Sequence, residues 1–170
     1  DGYQPAVKAV VDASLSSNDV LGDLETAGEY AVKLEDPRIR CNLERKIGEY
    51  YFSGLIGEKD LRKAYYWFEA GYADGGKGAA GYLGLNYEKG ITVEPDAEKA
   101  LMYYREFLDC YNISGMLPYK YAVAFMAKAY LEGNLVEQDM ETGREYLVKA
   151  IEAGDSESLM TMRKMTDNTV

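Results

Sequence analysis

Residues 79–90 read Ala-Ala-Gly-Tyr-Leu-Gly-Leu-Asn-Tyr-Glu-Lys-Gly, and the pattern within them decides the fold of this chain. Ala79, Leu83 and Tyr87 stand at i, i+4 and i+8, which is the spacing of one face of an α-helix. Gly90 ends this helix as a C-terminal cap, and Asp96, six residues later, has the place of an N-cap for the next helix. The stretch therefore predicts a helical hairpin.

The same pattern recurs along the chain. A glycine is followed six residues later by an aspartate, a tyrosine stands three residues before the glycine, and an aromatic residue stands seven after the aspartate. The glycine–aspartate pairs are Gly54/Asp60, Gly90/Asp96 and Gly133/Asp139, with a weaker copy at Ser17/Asp23. The copies begin 37, 36 and 43 residues apart, and a period of this size marks stacked helical hairpins. We therefore expect an all-α fold with about nine helices and no sheet.

Each hairpin crossing places a large residue beside a small one. Leu83-Gly84 has this place in the third copy, and Ile47-Gly48 and Met126-Ala127 are its equivalents. A glycine inside a helix costs about 1 kcal/mol of helix propensity. Its use here is explained if a neighbouring helix crosses at that point and needs the missing side chain.

The pattern resembles the Sel-one-like repeat family, a relative of the tetratricopeptide repeats. The residues that carry the resemblance are Leu83-Gly84, Tyr87, Gly90-Ile-Thr-Val93, Asp96, Lys99-Ala100 and Tyr103, together with Asp60, Lys63-Ala64, Trp67 and Gly75. The Gly-x-Gly turn that is common in the family is missing. The resemblance implies a right-handed α-solenoid of about four antiparallel helix pairs with a C-terminal capping helix, in a single domain over residues 1–170. The implied repeats are 5–40, 41–76, 77–118 and 119–155, and the capping helix is 156–167.

Composition limits the kind of partner. The formal net charge is −10, which argues against direct binding of nucleic acid and against an anionic membrane surface, because both need basic side chains. No apolar run approaches the roughly 20 residues of a membrane span, so no membrane insertion is expected. A monomer is favoured. The compartment stays open between bacterial cytoplasm, periplasm and secretion, and the chain, which starts at Asp1, is expected to be a processed piece.

No residue is predicted to be catalytic, to hold a cofactor or to bind a metal. The chain has no histidine, and its two cysteines, Cys41 and Cys110, form no CxxC motif. Residues 71–78 resemble a phosphate-binding loop up to Lys77, but Gly78 stands where that loop needs serine or threonine. We interpret this segment as a flexible turn between repeats, and the chain as a protein without enzymatic activity.

By analogy with tetratricopeptide grooves, the resemblance implies that the first helix of each pair lines a concave side. Its outward residues form the predicted concave face, with apolar side chains beside basic ones. Such a surface suits a peptide or helix with apolar anchors and some acidic residues. The predicted partner-binding residues are Arg45, Glu49, Phe52, Leu85, Glu88, Lys89, Tyr121, Lys128 and Leu131.

The leading function is a non-enzymatic protein–protein interaction module, an adaptor or scaffold that binds a peptide or protein on its concave face. The alternative is an acidic decoy or inhibitor that blocks a basic nucleic-acid-binding surface of a partner protein. Residues 109–120, where the longest period places its surplus, are the rival recognition site within the first function.

Overall fold

The computed structural model describes residues 3–16, 24–55, 58–110 and 116–167. This part of the chain forms nine helices and no strand, which confirms the predicted all-α helical-repeat fold. Ser17 and Asp23 of the weaker copy, and residues 111–115 of the rival loop, lie outside the described residues. The helices are α1 (Tyr3–Ser16), α2 (Leu24–Ala31), α3 (Pro37–Ser53), α4 (Leu61–Ala73), α5 (Lys77–Lys89), α6 (Ala97–Cys110), α7 (Leu117–Glu132), α8 (Met140–Glu152) and α9 (Ser156–Asp167).

The helices form two compact units, residues 1–83 and residues 84–170, with the boundary inside α5. In the first unit α1 packs on α2, α2 on α3, and α3 on α4. In the second unit α6 packs on α7, α7 on α8, and α8 on α9. Within each unit these helices thus pack against neighbours in sequence, as stacked hairpins require.

One backbone hydrogen bond explains the spacing of the repeated motif. The N–H of Asp60 donates to the carbonyl of Tyr51 at 3.0 Å, and the same bond joins Asp96 to Tyr87 and Asp139 to Tyr130. The bond closes the hairpin loop across the cap glycine. Gly54, for example, has a φ of 69°, in the left-handed region that side chains disfavour.

The aspartates of the motif are N-caps, as predicted. The Asp60 carboxylate accepts hydrogen bonds from the backbone N–H groups of Arg62 and Lys63, both at 3.0 Å. These are two of the N–H groups that a helix start leaves without a partner in the helix.

Replacing Asp60 with alanine is expected to cost about 1 kcal/mol of stability, because both N–H groups lose their acceptor. Asp60→Asn is the matched control, since an amide oxygen also caps well. Urea unfolding followed by circular dichroism measures both. Equal losses in the two variants would contradict a capping role.

The crossing glycines lie where the sequence places them. A Cβ atom on Gly48 would lie 2.7 Å from Cε1 of Phe68, and a Cβ on Gly84 would lie 2.6 Å from Cδ1 of Tyr104. Phe68 and Tyr104 are themselves buried on α4 and α6. The ring of the second helix therefore occupies the space of the missing side chain in both hairpins.

The repeated tyrosines are mostly not core residues. Apart from Tyr51, the tyrosines of the motif are half-buried. They stack in pairs across each hairpin: Tyr87 lies 5.7 Å from Tyr103, and Tyr130 lies 5.9 Å from Tyr146, between ring centroids. A phenol at the hairpin edge buries its ring while its hydroxyl stays near water, which accounts for the half-burial.

In the segment that resembles a phosphate loop, the turn between the two helices is shorter than predicted. α4 ends at Ala73 and α5 begins at Lys77, so Gly78 lies buried in the first turn of α5 and not in a turn between repeats. The connection is closed by backbone hydrogen bonds, including one from Gly76 N–H to the Gly71 carbonyl at 2.8 Å. It is a tight helix–helix turn.

Candidate protein-binding face

One candidate face of the second unit runs along α7. Apart from Tyr130, which stacks on Tyr146, eight side chains that are not buried recur at helical spacing on this helix, and five of them are apolar. The other face of α7 packs against α6 and α8. The eight residues of this α7 face are Leu117, Lys120, Tyr121, Ala124, Phe125, Lys128, Leu131 and Glu132.

The ring of Tyr121 on the α7 face lies near two lysine ammonium groups. The ammonium group of Lys120 lies 5.1 Å from the centroid of its ring, and that of Lys89, on α5, lies 5.8 Å from it. Such distances suit cation–π attraction, which holds both lysines near the ring. The structure thus brings together two residues that were predicted for the site, Lys89 and Tyr121, and adds Lys120.

Phe125 continues the α7 face beyond Tyr121. Its ring is half-buried, with its centroid 5.3 Å from that of Tyr104. Phe125 was not among the predicted partner-binding residues. Its position four residues after Tyr121 and three before Lys128 nevertheless places it on the same face of a helix as those two residues. The Lys128 side chain is 71% exposed and lies 4.0 Å from Glu132.

The predicted residues on α5 do not all reach the surface. Leu85 is only 4% exposed, which corrects its assignment to an exposed apolar floor. Residues 78–86 of α5 are all buried, so this part of the helix has no solvent face, as is typical of a helix enclosed by its neighbours. Glu88 accepts a hydrogen bond from the hydroxyl of Tyr104 at 2.6 Å and forms an ion pair with Lys89.

The predicted residues of the first unit form a connected network. Arg45 and Glu49 form an ion pair on α3, and Glu49 also accepts a hydrogen bond from the Tyr82 hydroxyl at 3.0 Å. Phe52 meets the Tyr82 ring edge-on at 5.8 Å between centroids. Burial, with the Glu49 carboxylate beside it, raises the pKa of Tyr82 far above its usual range, so this phenol stays a hydrogen-bond donor.

A separate buried group on α3 lies outside the predicted face. The Glu44 side chain is 3% exposed, and its Oε2 atom has no hydrogen-bond partner. Loss of hydration raises the pKa of Glu44 to about 7, and the nearby Asp74 carboxylate adds to this effect. Asp74 is held by Arg40 through an ion pair and a second hydrogen bond at 2.8 Å, which lower the pKa of Asp74. Below about pH 7, Glu44 therefore holds the proton of this carboxyl pair.

The described residues contain neither a candidate membrane-spanning helix nor a candidate metal-binding group. None of the helices there has the length and apolar character needed to cross a membrane. That part of the chain also holds no group of three or more cysteine or acidic side chains placed to bind a metal ion.

Comparison with solved structures supports the helical-repeat fold. A protective antigen of uropathogenic Escherichia coli that displays an SLR fold is 22% identical, with a TM-score of 0.65 over 98% of this chain. A Sel1 repeat protein from Oxalobacter formigenes is 19% identical, with a TM-score of 0.60 over 91% of this chain. The chain spans 34% of the first of these proteins and 60% of the second.

The family model "Sel1 repeat" matches residues 44–76, 78–110 and 120–155, more than half of the chain. The matched segments contain the three strong copies of the motif and most of the hairpins α3–α4, α5–α6 and α7–α8. Proteins with these repeats are generally protein-interaction modules and are typically not catalytic. The chain belongs to the Sel1 repeat family.

Proposed function

We propose that this chain is a non-enzymatic interaction module that binds a peptide or protein partner through the α7 face, the outward side of the first helix of its pair. The observation that carries the proposal is the row of half-buried apolar side chains on α7: Tyr121, Phe125 and Leu131. Apolar side chains that remain exposed together usually mark a binding surface.

The chemistry of this row suits protein recognition. Tyrosine and phenylalanine offer a large contact area at a low cost in side-chain entropy, and aromatic residues are enriched where proteins meet. Lys128 stands between Phe125 and Leu131 and adds a charge at the rim. A partner that covers the row would remove apolar area from water, which drives most protein association.

Two variants test the proposal. Random twelve-residue peptides displayed on phage are selected on the wild-type chain, and the selected peptides are titrated as labelled synthetic peptides. Tyr121→Ser combined with Leu131→Ser is expected to abolish their binding, because the apolar row is broken at both ends. Circular dichroism of the variant should retain the helical spectrum, since neither side chain is fully buried, although the variant also loses the contact of Leu131 with Gly143 on α8.

Val148→Ser on α8 is the matched control, because this exposed valine lies off the α7 face. Deletion of residues 112–115, which precede α7, tests the rival loop. The α7 assignment fails if that deletion removes binding while the double serine variant binds normally. Selection of basic peptides whose binding survives the double serine variant but is lost above about 0.2 M salt would instead favour the acidic decoy.

A further inference from the structure

We infer that the partner of the α7 face is an acidic peptide with aromatic or aliphatic anchors, and that the Arg45–Glu49 pair on α3 is structural. This inference rests on the proposed function and names the chemical class of its ligand. Some of the predicted partner-binding residues are available for contact with a partner, whereas others already take part in contacts within the folded chain.

Lys128 is the available cation of the α7 face. Its side chain is 71% exposed, whereas the adjoining Lys89 on α5, although 50% exposed, already forms an ion pair with Glu88. Lys128 lies 4.0 Å from Glu132, at the limit of an ion pair, and an exposed pair of that kind contributes little. A carboxylate from a partner can therefore approach Lys128 without breaking a strong internal contact.

Arg45 on α3 is less available to a partner than Lys128. Arg45 is 24% exposed and forms its ion pair with Glu49, whose carboxylate also accepts the Tyr82 hydroxyl. A partner carboxylate at Arg45 would compete with this network. Removing one member of a partly buried network costs free energy, because the groups left behind stay out of water without a partner. We therefore infer that this pair stabilises the first unit.

The local charge differs from that of the chain as a whole. The chain has a net charge of −10, yet Lys120, Lys128 and the adjoining Lys89 gather around the apolar row, where the acidic residues are Glu132 and Glu88, the partner of Lys89. An acidic partner is repelled by most of the surface and attracted here. This combination gives both affinity and orientation.

The geometry sets the size of the ligand. Tyr121 and Leu131 are ten residues apart on one helix, which corresponds to about 15 Å along its axis. An extended peptide of about five residues, or a helix of about three turns, spans this distance. Its apolar anchors would contact Tyr121, Phe125 and Leu131, and its carboxylates would lie beside Lys120 and Lys128.

The phage-displayed twelve-residue peptides provide the test. The peptides selected by the wild-type chain are expected to be rich in aspartate and glutamate together with aromatic or aliphatic residues. A Lys120→Glu/Lys128→Glu double variant should bind the selected synthetic peptides at least about tenfold more weakly at about 0.1 M salt, because two attractions become repulsions. Lys128→Met, which keeps the aliphatic stem, should show a smaller loss.

The matched control is Arg163→Glu/Lys164→Glu on α9, which changes the net charge equally at two exposed positions away from α7. It should bind the peptides within about twofold of the wild type, since exposed charges beyond a Debye length are screened. Equal losses in both double variants would show a general charge effect and overturn the inference. Selection of basic or neutral peptides, or an unchanged affinity in the α7 double variant, would overturn it as well while leaving the proposed function standing. If the wild-type chain selects no peptide at all, the proposed function falls too.

Discussion

Gly84→Leu is expected to lower the free energy of unfolding by about 3 kcal/mol, because the new side chain has no space at the α5–α6 crossing. Even a Cβ atom would lie 2.6 Å from Cδ1 of Tyr104. Tyr104 cannot easily turn aside, since it is fully buried and its hydroxyl is bonded to Glu88 at 2.6 Å. The two helices must therefore separate, or Tyr104 must lose its packing and its hydrogen bond.

Urea unfolding followed by circular dichroism measures the effect. Ala97→Leu, which adds a leucine at an exposed position of α6, is the control and should change stability by less than about 0.5 kcal/mol. Gly84→Ala should fall between the two, because its smaller side chain meets the same ring. If Gly84→Leu is tolerated as well as Ala97→Leu, the crossing does not depend on the glycine.

The second large effect is a stability change with pH at Glu44. The pKa of Glu44 rises from 4.5, its ordinary value, to about 7 in the folded chain. A carboxyl with a raised folded pKa stabilises the fold fully below its unfolded pKa, and this contribution is lost as the pH rises from about 4.5 to about 7. At 1.36 kcal/mol per pKa unit, the shift corresponds to about 3 kcal/mol.

Glu44→Gln should remove this dependence, because the amide is neutral at every pH and has a similar shape to the protonated acid. Relative to the wild type, the variant is expected to be more stable at pH 8.5 than at pH 5 by about 2–3 kcal/mol. The cause is the ionised carboxylate that the wild type must bury beside Asp74 at high pH. Arg40 compensates the charge of Asp74, to which it is bonded twice.

Urea unfolding at the two pH values tests this expectation. Glu29→Gln, at an exposed position of α2, is the matched control and should show no such difference between the two pH values. A Glu44→Gln variant whose stability follows that of the wild type at both pH values would contradict a protonated Glu44 in the fold.

Local rules account for what the sequence predicted well. The cap glycines and N-cap aspartates depend on backbone conformation within a few residues, so Gly54 and Asp60 are recognisable without a structure. The crossing at Gly84 was predictable for a related reason, since a buried helical glycine is rarely useful unless a neighbour contacts it. The repeat itself then supplied the number and order of the helices.

Burial is the property that sequence reasoning missed. Leu85 was expected at the surface because its place on the first helix of a pair resembles that of exposed residues in related grooves, but α5 is enclosed there. Phe125 was omitted and lies on the α7 face. In each case the outcome depends on how closely neighbouring helices approach, which the local pattern does not encode.

The sequence by itself determined the repeat period, the helix ends and the family, because these follow from residue types at fixed spacing along the chain. Only the tertiary structure decided which charges are used internally and which remain available. Arg45 is held by Glu49 on its own helix, Glu44 is placed in a buried site beside Asp74 from a later turn, and Lys128 is left exposed. The hydration of a charged group depends on every chain segment that surrounds it, and those segments meet only in the folded protein.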